Sequence, residues 1–163
     1  MKPNATDLPL EVLQQFRVIY GTMRQYFRTI EQCCGLPGSQ MWILQEVERT
    51  PSIGVTELAQ RLGIHQSTCS QLVEKLVGQH YLEKQKNPAD LRRVGLVLGP
   101  QGLSAMQRLP GPAEGVLPGA LSSMPEVALK TLNINLAELI FHLRGRDDEF
   151  AQVPLAEMVR DAE

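Results

Sequence analysis

Apolar side chains recur every three or four residues early in the chain: Leu13, Phe16, Tyr20, Met23, Phe27 and Ile30 form one helical stripe. Val12, Ile19 and Tyr26 form a second stripe at a seven-residue spacing. A helix apolar on two faces is buried on two sides. In a chain this short, one of those sides is expected to meet a partner subunit. Asp7 and Pro9 predict where this helix starts, and Gly35, Pro37 and Gly38 where it stops. Ser39 is expected to cap a second helix through Val47, with Met41, Trp42 and Leu44 facing inward. A loop of Thr50, Pro51, Ser52 and Gly54 follows. Thr56 then caps a third helix, which Gly63 closes. A fourth helix runs from about Gln66 to Gln79, with Cys69, Leu72, Val73 and Leu76 as its apolar stripe.

Beyond it the pattern changes to two short strands, Leu82 to Lys86 and Val94 to Leu98, around an Asn-Pro-Ala-Asp turn. Glycine and proline crowd residues 99–119. Two readings stay open there: a helix through about Leu109 broken at Pro110 to Pro112 and then resumed, or a long irregular connector. Pro125 and Glu126 open a last helix, with Leu129, Leu132, Leu136, Leu139, Ile140 and Leu143 inward. After Arg146 the chain turns polar and acidic, and is either frayed or packed as one short helix. The expected fold class is mainly α with a small antiparallel β-wing, a winged helix-turn-helix with a helical dimerisation region. The expected division is 1–35 for an N-terminal dimerisation helix and 36–99 for a DNA-binding lobe. Residues 100–144 would hold C-terminal helices completing the dimerisation region, and 145–163 a polar tail.

The stretch from Thr56 to Leu98 carries the chemistry. Ala59 is small, as a tight helix crossing requires, and Gly63 four residues later permits a left-handed turn. Ile64, Cys69 and Leu72 are apolar where they would face the preceding helix. A helix that fits a major groove, beside a basic ribbon that reaches a minor groove, is a duplex-reading arrangement. Charge supports this locally. The 163-residue chain carries net −2, yet Arg61 to Arg93 holds six basic and three acidic residues. A basic face on an acidic body still binds phosphate, because salt screens repulsion beyond about 8 Å.

This stretch resembles the MarR family of winged-helix transcriptional regulators, and the resemblance covers roughly residues 10 to 144. The family's wing reads Asp-x-Arg, then a strand, then Leu-Thr-x-x-Gly. Here Asp90-Leu91-Arg92, Leu96-Val97-Leu98 and Gly99-Pro100-Gln101-Gly102 stand in those places. Three positions depart from the pattern. Gly99 replaces the usual Thr, which weakens one helix cap. His65 and Gln66 replace a frequent Ser-Pro, and Gln71 a frequent Arg. Since Gln pairs with adenine and Arg with guanine, a less G-centred operator is expected. The resemblance implies a homodimer binding a pseudo-palindromic double-stranded operator and usually repressing; a cytoplasmic location is expected by default, from the lack of a bilayer-spanning run and of a signal pattern. On the recognition helix, Gln66, Ser67, Thr68, Ser70 and Gln71 would meet bases and phosphates, and Lys75 a phosphate. In the wing, Arg92 would enter the minor groove with Asp90 holding its guanidinium, and Arg93 would meet the backbone.

A regulator needs an input. Tyr20, Met23, Phe27, Met41 and Trp42 are aromatic or polarisable where the first two helices should meet the DNA-binding lobe. The family often holds a small aromatic or phenolic effector there; core packing explains each residue as well. Thiol sensing is the rival input. Cys33 and Cys34 lie at the wrong end of the first helix for it, and Cys69 reads as a small buried hydrophobe. Three cysteines fit a reducing compartment rather than a disulfide framework. No apolar run is long enough to span a bilayer, and no signal-peptide pattern opens the chain. An enzyme is not expected. His65, His80 and His142 lack metal spacing with the cysteines, no glycine-rich phosphate loop follows a strand, and no cofactor is implied. A winged helix used only for protein contacts is a further alternative. The cations Lys84, Lys86, Arg92 and Arg93 speak against it.

Overall fold

A computed structural model describes residues 7–160. Its elements, in order, are α1 (Leu8–Cys34), α2 (Gly38–Arg49), α3 (Val55–Leu62), α4 (Gln66–Gly78), β1 (Leu82–Asn87), β2 (Asp90–Leu98), α5 (Pro100–Gln107), α6 (Val116–Ser122), α7 (Glu126–His142), a short 3-10 helix (Asp148–Gln152) and α8 (Leu155–Met158). Pro9 sits in the first turn of α1, and Gly35 ends the helix in the left-handed conformation at φ 74°. There its N–H reaches the Glu31 carbonyl, which satisfies one orphan acceptor of the last turn. Asp7 occupies the N-cap position, but its side chain makes no capping hydrogen bond.

The core gathers around α2. Met41, Ile43, Leu44 and Val47 are buried there against Ile30 and Cys34 of α1, Leu58 and Leu62 of α3, Val73 and Leu76 of α4, and Leu82 and Leu96 of the strands. Two expected caps are corrected. The second helix begins two residues early, at Gly38, with Pro37 as its N-cap. Ser39 is buried, and its hydroxyl donates to Glu157 of α8 instead. The third helix begins at Val55 after Gly54, so Thr56 lies inside the first turn rather than at the cap.

β1 and β2 pair antiparallel from Leu82↔Leu98 to Lys86↔Val94, then slip to Asn87↔Asp90. β2 therefore starts four residues before the expected Val94, and Arg92 and Arg93 stand on a strand. The residues before α3 add a third rung. Ser52 N–H donates to Leu96 O at 2.8 Å, and Leu96 N–H to Ile53 O at 2.9 Å. Gly95 lies at this crossing, where a Cβ would come within 2.6 Å of the Ser52 carbonyl.

Residues 99–119 combine both open readings: α5 stops at Gln107, an irregular segment follows, and α6 begins at Val116. Buried Gln45 pins the segment. Its Oε1 accepts from Ala113 N–H at 3.0 Å, and its Nε2 donates to Glu114 Oε2 at 2.6 Å. Tyr26 O–H adds a bond to the Pro112 carbonyl at 2.9 Å.

Two expectations about the C-terminal part change. None of the leucines assigned inward on α7 is buried, nor is any other α7 side chain. Leu129, Leu139, Ile140 and Leu143 stay exposed because their face has no counterpart among the described residues. As far as Arg160 the tail is neither frayed nor one helix, and residues 161–163 lie outside the described residues. Its 3-10 helix and α8 fold back onto α2, where Ala156 and Val159 join the core.

Candidate nucleic-acid interface

The helix-turn-helix is built by α3 and α4. Gly63 takes φ 65°, and Ile64 N–H reaches back to the Ala59 carbonyl at 3.1 Å. Ala59, Ile64 and Cys69 are buried at the crossing, as their spacing predicts. This fixes the rotation of α4, and hence which side chains face outward. Gln66, Ser67, Gln71 and Lys75 are exposed on it, whereas Thr68 and Ser70 are half-buried. Glu74, also on α4, pairs with Lys84 of β1 and so ties the recognition helix to the base of the wing.

The cations of this lobe divide into two groups. Arg61 is held within the lobe by Glu57 at 2.5 Å, Glu46 at 3.7 Å and Thr50 Oγ1 at 2.7 Å. Lys84 is held by Glu74. Lys75, Lys86 and Arg92 make no ion pair among the described residues. They are the cations whose charge is least committed to the protein.

The role assigned to Asp90 is corrected. Its Oδ1 accepts the backbone N–H of Arg92 at 3.0 Å, while its Oδ2 lies 3.7 Å from Arg93 Nε. The Arg92 guanidinium is therefore not held by Asp90. Strict strand alternation would put Asp90 and Arg92 on one face; the contact with Arg93 at i+3 departs from it at the register slip between Lys86 and Asn87.

Sequence reasoning missed one face. Ser52, Thr56 and Gln60 line a groove with Gln85, Lys86, Asn87 and Arg93, between the start of α3 and the wing. Ser52 has φ 69°, a left-handed backbone that no residue pattern announced. The groove is polar, and Val55 and Thr56 of the first turn of α3 line it.

Of the five residues considered for an effector, the structure brings together two. Phe27 and Trp42 line a cavity of about 190 Å³ with Gly38, Ala113, Glu114 and Val153 to Ala156. Met23 and Met41 are core residues, and Tyr20 is exposed on α1. Among the cysteines, Cys33 is exposed while Cys34 and Cys69 are buried. Burial pushes the Cys69 thiol up to about 11. Burial, then the neighbouring Cys33, raise the thiol of Cys34, against a lowering by Arg108. Among the described residues, no cluster of His, Cys, Asp and Glu could hold a metal ion, and no helix is long and apolar enough to cross a membrane.

The sequence model of the MarR family matches residues 35–93. No curated protein sequence matches the chain. Solved structures of similar fold include a mutant MarR from E. coli complexed with operator DNA, 18% identical with a TM-score of 0.53 over 82% of this chain and 99% of that one. A MepR mutant from S. aureus bound to an oligodeoxyribonucleotide is 18% identical, with a TM-score of 0.52 over 82% and 98%. YusO from Bacillus subtilis is 17% identical, with a TM-score of 0.53 over 86% and 99%. These likenesses carry the fold, and the family model covers the lobe from α2 through the wing arginines, so this part of the chain is similar to the MarR family.

Proposed function

We propose that two copies of this chain bind one pseudo-palindromic DNA duplex and regulate transcription from it, most simply as a repressor. One observation carries the reading. The exposed Gln66, Ser67, Gln71 and Lys75 face of α4 belongs to the same rigid lobe as the uncommitted wing cations Lys86 and Arg92. In this reading α4 lies in a major groove, with Thr68 and Ser70 at the margin of the contact. Arg92 enters the flanking minor groove, Lys75 meets a phosphate, and Arg93 follows the backbone with Asp90 as its counter-ion. The DNA complexes of related fold, formed by MarR and MepR, support this placement.

The second copy is argued from surface chemistry. Leu10, Leu13, Phe16 and Ile19 on α1, and Val127, Ile134, Ile140 and Phe141 on α7, are exposed. Apolar patches of this extent on two helices mark an association surface. Two copies then present paired α4 helices about one helical turn apart, ~34 Å. The Phe27–Trp42 cavity is the place for a small aromatic effector. A ligand that prefers a dimer with misplaced recognition helices lowers DNA affinity by its differential binding. Thiol sensing at Cys69 is disfavoured, because a fully buried thiol with a raised pKa is a poor nucleophile.

The test is a salt titration of binding to a duplex selected from a random pool. Lys75→Ala is expected to weaken binding to every sequence alike and to lower the slope of log K against log salt by about one. An unchanged slope removes Lys75 from the phosphate contacts, and salt-independent association would favour a protein-binding winged helix.

A further inference from the structure

The C-terminal segment does something that neither the lobe nor the dimerisation helices require. α7 carries the chain away from the core, yet residues 147–160 return and are fastened there. Ala156 and Val159 are buried, Ser39 donates to Glu157, and Arg160 reaches Glu31 of α1 at 3.4 Å. The same segment touches the start of the recognition helix. The carbonyl of Gln152 accepts the backbone N–H of His65 at 3.3 Å, and His65 is the N-cap of α4.

From Asp147 to Arg160 this segment has four acidic residues, Asp147, Asp148, Glu149 and Glu157, and one basic residue, Arg160, which is turned to Glu31 and Glu157. A 3-10 helix rises about 2 Å per residue, so Glu149 lies roughly 6 Å along the helix from the Gln152 contact. That is within a Debye length of ~8 Å at physiological salt. The 3-10 helix thus brings negative charge beside the end of α4 that a phosphate backbone would approach. Asp147 is occupied, its Oδ1 accepting Glu149 N–H at 3.0 Å. Asp148 has only a 3.8 Å contact with Arg146, and Glu149 makes no ion pair among the described residues.

We propose that residues 147–160 form an intramolecular electrostatic brake, an acidic strap latched by Ala156, Val159 and Gln152 that lowers the affinity of the recognition helix for any duplex. The inference rests on the DNA-binding reading. The strap acts on phosphates rather than on bases, so it sets affinity without setting sequence preference. It also joins two parts of the molecule. Val153 to Ala156 wall the Phe27–Trp42 cavity, and Gln152 next to them contacts the start of α4. Displacing the strap therefore changes both places together.

The test compares the full-length protein with D148N/E149Q, which keeps the Asp147 cap and the buried anchors, and with a chain ending at Arg146. Circular dichroism and thermal melting establish folding, and retardation of a selected and a scrambled duplex is measured across a salt series. D148N/E149Q is expected to melt like the parent and to bind both duplexes about threefold to tenfold more tightly at low salt. The gain fades above roughly 0.3 M as screening shortens. The truncated chain loses the Ala156 and Val159 anchors and is expected to melt lower. If it folds, it gains affinity at least equally. If the parent binds with a salt-dependent constant and D148N/E149Q matches it within twofold, the brake is overturned while the DNA-binding reading stands. If neither binds any duplex, both fall.

Discussion

At the scale of single residues, Asp90, Arg92 and Arg93 separate what spacing reveals from what it conceals. The sequence marks all three as wing residues, and they are. Which arginine the carboxylate meets depends on the register slip between Lys86 and Asn87, and no periodicity encodes a slip. Arg92→Ala is expected to cost about 1–3 kcal/mol of duplex affinity, as a seated groove contact would. Arg93→Ala is expected to cost less, because Asp90 already offsets part of its charge and its guanidinium is solvated. Equal losses in a fixed-salt titration would mean that the two share one role. The exposed half of α4 was legible because buried Cys69 and Val73 fix its phase. The half-burial of Thr68 and Ser70 was not, since it reflects what packs beside them.

Cys69 gives a pH-dependent prediction. Its thiol rises from 9.0 to about 11 because burial disfavours the thiolate. A group raised on folding contributes stability that is full below its unfolded value and is lost as pH climbs through the folded one. The parent is therefore expected to lose more stability than Cys69→Ala between pH ~9 and ~11, as read by urea melts. At neutral pH, iodoacetamide is expected to label Cys33 and spare Cys69. Rapid labelling of Cys69 in the folded protein would contradict the burial.

At the scale of elements, helices and strands followed from periodicity, and their ends followed only where glycine required it. Gly35 and Gly63 stop α1 and α3 in the left-handed region. The caps expected at Ser39 and Thr56 failed for tertiary reasons. Ser39 is taken by Glu157, more than a hundred residues away, and Gly54 supplies the N-cap of α3. Gly99 shows the same override. Where the family pattern has Thr, a Cβ here would lie 2.4 Å from the His80 carbonyl. His80 itself has φ 64°, so this turn brings backbone against backbone. Gly99→Thr is therefore expected to destabilise by about 1–3 kcal/mol despite adding a capping hydroxyl. A higher melting temperature for that variant would show that the turn yields. The Ile53–Leu96 rung was invisible beforehand, because a single bridge leaves no alternation to read.

At the scale of the whole molecule, α7 is the element that the chain alone does not explain. Its mean character is apolar, yet Val127 is 78% and Ile134 67% exposed, and none of its side chains is buried. A helix with such a surface is stabilised by packing rather than by propensity, and in the proposed dimer a second copy would supply that packing. The two stripes of α1 lead to the same expectation, and the first turns of that helix stay uncovered while Met23, Phe27 and Ile30 are buried. The sequence offers a packed tail only as one of two readings, because a polar composition hides the two anchors, Ala156 and Val159. The measurement that tests the account most directly is sedimentation of the protein with and without a duplex from a random-pool selection, joined to hydroxyl-radical footprinting of the complex. The account predicts two protomers in solution, two protomers per duplex, and two protected half-sites with centres ~34 Å apart on one side of the helix. A monomer on a single protected site, or protection on opposite sides, would contradict it.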